Sequence, residues 1–286
     1  MAKTNYIELG TGELLTILYE DRSVMAIDKP AGWMLVPMTW QKTDRNLPAA
    51  ILSSIASRAH WARSRNLKFL QNVHRLDAET TGILLMVKSA GAARPLSKLF
   101  ESRQMDKRYL VVVQGRPTEN EWVCQQSLGP DPQRIGRVRV DSVEGKPAET
   151  HFRVIKIGDV HSLLEATPFT GRTHQIRVHA AESGYPVAGD TTYGDAPYVR
   201  GNPPPMGLRA IYLAYTNPFD RKRVVIEAPV KDFLSQFGFR QVDLASPAPP
   251  LAKIPRPPAA SPMAPSAVKK PAPISIDRPR NTAKRQ

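Results

Sequence analysis

A short polar segment, residues 74–82, combines residue types and spacing that are suited to catalysis. It reads His-Arg-Leu-Asp-Ala-Glu-Thr-Thr-Gly and leads straight into an apolar run at residues 83–87, which predicts a buried strand. A carboxylate on a loop beside such a strand is held firmly and stays accessible, so Asp77 is a candidate nucleophile or general base. A carboxylate that only caps backbone N–H groups in a turn fits the same pattern.

A second polar cluster occupies residues 169–179, Phe-Thr-Gly-Arg-Thr-His-Gln-Ile-Arg-Val-His. Gly171 permits a turn, Thr173 is expected to cap a helix over residues 173–182, and Arg172 at the helix N-terminus would create an anion site. Arg177 lies one helical turn further on and is predicted to reach a carboxylate such as Asp77. A capped, solvated helix end is the alternative interpretation.

Tyr109 is a third candidate, because it opens a predicted strand over residues 107–114 directly after the basic pair Lys107 and Arg108. A phenol in that place can stack on a base or exchange a proton, although packing is the more ordinary role of a tyrosine at a strand start. The single cysteine, Cys124, excludes an internal disulfide, indicates a reducing compartment and is expected in the core. With one cysteine and six scattered histidines, no metal site is expected.

Composition narrows the class of protein. The 286 residues are 41% hydrophobic, which is enough for one large domain or two small ones. No apolar run is long enough to cross a membrane, and the N-terminus lacks a signal-peptide pattern, so a cytoplasmic location is expected. A net charge of +14 favours a polyanionic partner, most often nucleic acid, over a merely solvated surface.

Residues 246–286 differ from the rest of the chain. They hold 11 of the 27 prolines and no aromatic residue, which predicts a disordered, proline-rich basic tail. Eight Lys and Arg against one Asp give the tail a net charge of +7, so residues 1–245 carry the other +7. The tail would add nonspecific phosphate contacts, or it is a dispensable extension.

Residues 1–245 are predicted to form one α+β domain with a mixed, largely antiparallel sheet and a few covering helices, because strands outnumber helices and several pairs resemble hairpins. Helices are predicted over residues 47–63, 90–103, 173–182 and 232–237. Strands are predicted over residues 14–19, 23–27, 83–87, 107–114, 138–140, 149–157, 161–166, 210–215 and 223–227.

In its motifs and their order, the chain resembles the RluA-type pseudouridine synthases. The resemblance rests on residues 17–32, 74–82, 107–109 and 170–179, with further matches at residues 146–150 and 184–194. It covers roughly residues 13 to 240 and is much more specific than any single motif. It implies one catalytic domain with a bent mixed sheet, a central RNA-binding cleft, no cofactor, and isomerisation of uridine to pseudouridine in structured ribosomal RNA or tRNA.

The resemblance also implies roles for matching residues. Asp77 would be the essential nucleophile or base, Arg177 would pair with it, and Tyr109 would line the uracil pocket. Arg75 would sit at the RNA interface and occupy the gap left by a flipped nucleotide. Arg172 and His174 would support the loop or contact phosphate, and His74, Lys107 and Arg108 complete the expected RNA-binding set.

Some features depart from the family pattern. Thr81 stands where the family usually has Ser, and residues 34–40 replace a Val-His-Pro-like run. The residues before the first matching strand are too few for the small S4-type RNA-binding domain of many relatives, and a monomer is expected. Two alternatives to an enzyme stay open: a catalytically silent RNA-binding or ribosome-associated protein of the same fold, and a scaffold that acts through its proline-rich tail.

Overall fold

The computed structural model describes residues 3–35, 45–196, 204–239 and 242. This part of the chain forms thirteen strands and five helices. The strands are β1 (Tyr6–Glu8), β2 (Leu14–Glu20), β3 (Val24–Lys29), β4 (Gln71–Asn72), β5 (Thr81–Val87), β6 (Asp106–Gln114), β7 (Glu121–Cys124), β8 (Leu128–Pro130), β9 (Val138–Val140), β10 (Thr150–Ile157), β11 (His161–Pro168), β12 (Leu208–Thr216) and β13 (Arg223–Glu227). The helices are α1 (Leu47–Ala56), α2 (His60–Arg63), α3 (Ala90–Glu101), α4 (Gln175–Glu182) and α5 (Lys231–Gln236).

Eleven of these strands form one sheet in the order β1-β2-β3-β5-β12-β6-β11-β10-β7, with β4 paired to β5 and β13 paired to β12. Strands β8 and β9 form a separate hairpin. Only the join between β5 and β12 is parallel, so the predicted α+β fold with a mixed, largely antiparallel sheet is confirmed. This join lies at the end of the segment that carries Asp77.

Gly82 makes the parallel join possible. Its φ is +105°, and a Cβ atom at this position would lie 2.1 Å from the carbonyl oxygen of Ala210 on β12. Only glycine tolerates both the backbone conformation and the close approach. The glycine that ends the polar segment therefore lets β12 pack against the start of β5.

The helices cover the sheet and enclose its core. Helices α1 and α2 lie over the β1–β3 end of the sheet, where Trp33 and Trp61 are fully buried among aliphatic side chains. Helix α3 contributes Leu96 to the core beneath β5 and β12, and α4 packs Ile176 and Ala180 against β6 and β11. Cys124 is buried and free, as the sequence predicted.

Most predicted elements are confirmed to within a few residues, but the single helix predicted over residues 47–63 was wrong. The helical pattern over residues 47–63 is two helices, because Arg58 has a φ of +57° and turns the chain between α1 and α2. Periodic apolar residues continue across the turn, so the pattern alone did not reveal it. The short strands β1, β4, β7 and β8 were not predicted.

The chain divides into two units, Met1–Leu244 and Ala245–Gln286. The tail over residues 246–286 and most of the divergent run at residues 34–40 lie outside the described residues, so the disorder of the tail stays a prediction. None of the helices in the described ranges is long and apolar enough to span a membrane.

Candidate active site

A cleft of about 450 Å³ opens where the Asp77 segment, the start of β6 and the loop before α4 meet. The end of α3 and Leu208 of β12 complete its walls, so segments that are distant in sequence meet here. Those of the expected site residues that line it are His74, Arg75, Asp77, Lys107, Tyr109, Arg172, His174 and Arg177. The structure therefore brings together eight of the nine residues that sequence and resemblance indicated, and leaves out Arg108.

Lys29, at the end of β3, holds the backbone of the loop that carries Asp77. Its side chain is fully buried, and Nζ donates to the carbonyl oxygens of Pro30, Ala78 and Thr80 at 3.0, 2.7 and 3.0 Å. Burial lowers the pKa of Lys29 to about 8, while the nearby carboxylates of Glu79 and Asp77 oppose that shift. A charged lysine thus ties two backbone groups of the loop to the sheet.

Asp77 and Arg177 form an ion pair inside the cleft. Nη1 of Arg177 donates to Oδ2 of Asp77 over 3.1 Å, and their side chains are only 7% and 18% exposed, respectively. The predicted reach of Arg177 to this carboxylate is confirmed. Burial lowers the pKa of Arg177, but the carboxylates of Asp190 and Asp77 outweigh that effect and raise it above its ordinary value.

Arg177 has a second carboxylate partner, the fully buried Asp190. Nε and Nη2 of Arg177 donate to its two oxygens at 2.7 and 2.8 Å, a bidentate arrangement. The backbone N–H groups of Thr192 and Tyr193 donate to Oδ1 as well. Burial raises the pKa of Asp190, but these bonds and the charge of Arg177 hold it below its usual value.

His174 approaches the other side of Asp77. Its Nε2 lies 3.8 Å from Oδ1 of Asp77, and its Nδ1 lies 2.8 Å from the hydroxyl of Tyr193. The residue adopts the left-handed conformation, with a φ of 55° and a ψ of 16°, at the N-cap of α4. Burial lowers the pKa of His174, with Asp77 opposing, so the ring is neutral at neutral pH.

Tyr109 and Lys107 face the cleft from the start of β6. Burial, and secondarily the charge of Asp77, raise the pKa of the Tyr109 phenol well above its ordinary value, so the phenol stays protonated. Burial lowers the pKa of Lys107 to about 8, and its ammonium donates to the carbonyl oxygen of Thr170 at 3.1 Å. The two side chains add a neutral donor and a cation to the cleft.

His74 lines the cleft, but its contacts support the loop. Its Nε2 accepts a hydrogen bond from the backbone N–H of Leu85 at 2.9 Å, and its ring stacks on Phe100 with centroids 4.6 Å apart. Burial, and then the charge of Lys107, lower the pKa of His74 to about 3, so the ring carries no charge to attract phosphate.

The remaining arginines differ in position. Arg75 is exposed at the mouth of the cleft, where it donates to the Thr173 hydroxyl at 3.1 Å. Arg172 lines the cleft and donates from Nε to the carbonyl oxygen of Pro147 at 3.1 Å. Arg108 lies outside the cleft lining, with its guanidinium 4.5 Å from the ring centre of Tyr212.

One local prediction is corrected at the start of α4. The N-cap is His174, without a side-chain capping bond, and Thr173 does not cap the helix. The side chain of Gln175 orders the preceding loop instead, by accepting from the Thr170 hydroxyl and the Arg172 backbone N–H at 2.6 and 3.0 Å. Because His174 takes a left-handed conformation, the helix begins two residues later than the sequence predicted.

Three supporting residues were not assigned roles from sequence: Lys29, Asp190 and Tyr193. Each lies within a stretch that matched the family, so the only signal was that match. Their roles depend on contacts with residues far away in the chain. Within the described ranges, no group of three or more His, Cys, Asp or Glu side chains is placed to hold a metal ion.

Comparisons with known proteins agree with this architecture. The sequence model of the RNA pseudouridylate synthase family matches residues 23–182. The chain is 34% identical over 230 residues to ribosomal large subunit pseudouridine synthase D of Nitrosomonas europaea, covering 76% of this chain and 62% of the relative. It is 34% identical over 228 residues to ribosomal large subunit pseudouridine synthase C of Escherichia coli K12, covering 77% and 68%.

Two human structures share the fold. The protein described as RNA pseudouridylate synthase domain containing 1 superposes with a TM-score of 0.60 at 26% identity, over 78% of this chain and 86% of the other. The protein described as RNA pseudouridylate synthase domain containing 4 superposes with a TM-score of 0.64 at 21% identity, over 80% and 94%. The second likeness concerns the fold alone.

The mixed sheet and the cleft with its paired Asp77 and Arg177 define the class as a pseudouridylate synthase fold. The chain belongs to the RNA pseudouridylate synthase family, in its RluA-type branch. Members of this family are isomerases that act on RNA.

Proposed function

We propose that this protein isomerises uridine to pseudouridine in RNA, with Asp77 as the essential catalytic carboxylate. The observation that carries the proposal is the ion pair between Asp77 and Arg177 in a cleft lined by Tyr109. In the reaction, the bond from C1′ to N1 breaks, the uracil turns, C1′ bonds to C5, the hydrogen at C5 leaves, and N1 takes up a proton. No atom is gained or lost overall, so the protein needs no second substrate.

Asp77 acts on the sugar or the base in the first step of this reaction. An ionised carboxylate can add covalently or remove a proton from the sugar, and both roles require a charged oxygen in a site that excludes water. Loss of water penalises a buried negative charge, and an adjacent cation compensates for it. Arg177 supplies that cation through a bond to Oδ2 alone, and Oδ1 lies 3.8 Å from Nε2 of His174.

Tyr109 and Lys107 contact the nucleotide in this proposal. The protonated phenol of Tyr109 offers an aromatic face for the uracil and a hydroxyl that donates a hydrogen bond. The Lys107 ammonium, partly buried and held on the Thr170 carbonyl, attracts the negative charge of RNA into the cleft.

The uridine must leave its stack to reach Asp77. Arg75 is in a suitable position to assist this extrusion. It is exposed at the cleft mouth and bridges to Thr173 on the opposite wall, where it can fill the space left by an extruded base. Arg172 and His174 continue the RNA-facing wall. Because of the contacts described above, we assign His74 to loop support and Arg108 to a surface outside the cleft.

We propose large-subunit ribosomal RNA as the substrate, since the two relatives reported above are named for that activity. The chain spans 62% and 68% of the lengths of those relatives, so part of each relative has no counterpart here. A tRNA substrate is the alternative. We also propose that the protein is monomeric and acts in the cytoplasm.

The test is tritium release from RNA that carries tritium at uracil C5, because formation of the new bond expels that hydrogen. RNA from a strain without this protein supplies unmodified sites, and separating ribosomal RNA from tRNA identifies the substrate. Release confined to large-subunit RNA is expected. Release from tRNA alone would overturn the substrate assignment, and RNA binding without release from any fraction would indicate a silent clamp.

A deletion of residues 246–286 separates the enzyme from the scaffold alternative. Without the tail, an enzyme keeps its turnover and loses at most some RNA affinity, since the tail holds half of the net charge. Loss of biological function with unchanged turnover would favour the scaffold.

A further inference from the structure

We propose that Asp190 positions the catalytic carboxylate, because it binds Arg177 directly and is linked to His174 through Tyr193, and these two side chains approach the two oxygens of Asp77. This inference rests on the proposed function. Asp190 is fully buried and does not line the cleft, so it cannot touch RNA and acts only through its neighbours.

The first connection runs through Arg177. Asp190 occupies Nε and Nη2 of the guanidinium, which leaves Nη1 for Oδ2 of Asp77. A guanidinium is planar and rigid, so binding one edge in bidentate fashion fixes the direction of the remaining N–H groups. Asp190 also shares the positive charge of Arg177, so that Asp77 faces a cation that is already partly neutralised.

The second connection runs through Tyr193 and His174. Asp190 accepts a hydrogen bond from the backbone N–H of Tyr193 at 3.1 Å, which fixes the position of the Tyr193 backbone. The Tyr193 hydroxyl accepts from the backbone N–H of Val138 at 2.8 Å and lies 2.8 Å from Nδ1 of His174. In this proposal the hydroxyl, already an acceptor for Val138, donates its own hydrogen to Nδ1.

This arrangement selects one tautomer of His174. Because Nδ1 accepts the tyrosine hydrogen, the proton of the neutral ring resides on Nε2. Nε2 faces Oδ1 of Asp77 at 3.8 Å, so the histidine presents an N–H group to the oxygen that Arg177 does not bind. The ring of Tyr193 also lies 5.1 Å from the Arg177 guanidinium carbon, which joins the two connections.

The turn that carries Asp190 is built to be rigid. Gly189 has a φ of +75°, and a Cβ atom there would lie 2.0 Å from the carbonyl oxygen of Pro205. The backbone N–H of Asp190 donates to Val187, and that of Gly194 donates back to the carbonyl of Asp190, both at 3.1 Å. A carboxylate fixed in this way holds the side chains bonded to it in one orientation.

The decisive variant is Asp190→Asn. If the asparagine Oδ1 keeps the hydrogen bonds that Oδ1 of Asp190 accepts, its amide nitrogen takes the place of Oδ2. An N–H group then lies against the N–H at Nε of Arg177, and the negative charge is lost. We expect kcat to fall about 100-fold, as for a reacting group displaced by about 1 Å, while KM and the Kd for RNA stay within about twofold. Asp195→Asn, an exposed acid in the same loop, is the matched control and should leave kcat unchanged.

The pH profile of kcat separates positioning from a purely structural defect. In Asp190→Asn the Arg177 cation faces Asp77 alone, so the acid limb of the profile should move to lower pH. The other charged or titratable groups near Asp77 are His174, Lys29 and Tyr109. The charge of Asp190 acts to raise the pKa of His174, so its loss in the variant keeps that ring neutral, and the variant leaves Lys29 and Tyr109 unchanged. A structural defect would lower the folded fraction and leave the limb in place.

Tyr193→Phe tests the second connection if Asp190→Asn does not fold. It removes only the hydroxyl that orients the His174 ring. We expect roughly a tenfold fall in kcat, similar to the loss found when the hydrogen-bond partner of a metal-binding histidine is removed. Nitrogen-15 NMR of histidine gives a readout independent of activity: His174 should show the Nε2–H tautomer in the wild-type protein and lose that preference in Tyr193→Phe.

Four outcomes would overturn the proposal. They are an unchanged kcat and acid limb in a folded Asp190→Asn, an effect on KM alone, an unchanged kcat in Tyr193→Phe, and an Nδ1–H tautomer in the wild type. If the wild-type protein releases no tritium, the proposed function fails instead, and the NMR result still decides whether Asp190 and Tyr193 organise His174.

Discussion

Arg177 donates a hydrogen bond from Nη1 to Oδ2 of Asp77 over 3.1 Å, although 100 positions of the chain separate the two residues. Asp77 lies on the loop that precedes β5, and Arg177 lies on α4, which follows β11. Their contact joins two walls of the cleft. Because the pair depends on both halves of the sheet, it is sensitive to changes that shift either half.

Asp77→Asn removes the charge and keeps the shape of the side chain. We expect tritium release to fall below detection, because an amide neither adds to a sugar carbon nor accepts its proton. The Kd for RNA should stay near the wild-type value, since the cations of the cleft are untouched. Asp159→Asn changes a fully exposed carboxylate and is the matched control. Substantial turnover by a clean Asp77→Asn preparation would remove Asp77 from its assigned role.

Lys107 should make RNA affinity depend on pH. Its pKa is lowered to about 8 by burial, so the ammonium that attracts RNA is lost as the pH rises through that value. The Kd, measured by fluorescence anisotropy at constant ionic strength, should therefore rise on the alkaline side of pH 8.

Lys107→Arg provides the control, because a guanidinium stays charged throughout this range. Its Kd should change little with pH. If the wild type and Lys107→Arg show the same alkaline weakening, another group is responsible and Lys107 does not contact RNA.

Lys29→Met tests how far the Asp77 loop depends on the buried lysine. The variant leaves the carbonyl groups of Pro30, Ala78 and Thr80 without their shared donor. The Ala78 carbonyl keeps the backbone N–H of Gly32 as a donor at 2.9 Å. Each of the others that is left unsatisfied costs about 1–3 kcal/mol, so the free energy of unfolding in urea should fall by at least that amount. Turnover should fall in the molecules that remain folded, because the loop that carries Asp77 loses its anchor.

The exposed Lys231 offers a matched comparison, and Lys231→Met should change neither stability nor turnover. Wild-type turnover by folded Lys29→Met would show that the loop keeps its geometry without the lysine.

Gly82→Ala probes the parallel join between β5 and β12. The added methyl group would overlap the Ala210 carbonyl and force an alanine to a φ of +105°. Strain and overlap together should lower the free energy of unfolding by roughly 2–6 kcal/mol. Gly91→Ala, in a helix with no atom within 4 Å of the added carbon, should be neutral or slightly stabilising. Equal stability of the two variants would contradict the close approach at Gly82.

Local patterns in the sequence were sufficient for several features. Apolar runs indicated the strands near residues 83–87 and 107–114, and periodic spacing indicated the helix over residues 90–103. These signals work because strand and helix expose different faces at regular intervals, so the pattern of apolar residues records the backbone conformation. The left-handed turns at Arg58 and His174 were not predicted, because no local pattern marks a non-glycine residue with a positive φ.

The sequence by itself therefore determined most of the strands and helices, the candidate residues, and, through the order of its motifs, the family. Only the tertiary structure decided which side chains meet: Arg177 with Asp77 and Asp190, Lys29 with the Asp77 loop, and His174 with Tyr193. Local preference acts over a few residues, whereas these contacts join segments that sheet pairing brings together. The contacts of a buried charge depend on what the rest of the chain places around it, and spacing along the sequence carries no record of that.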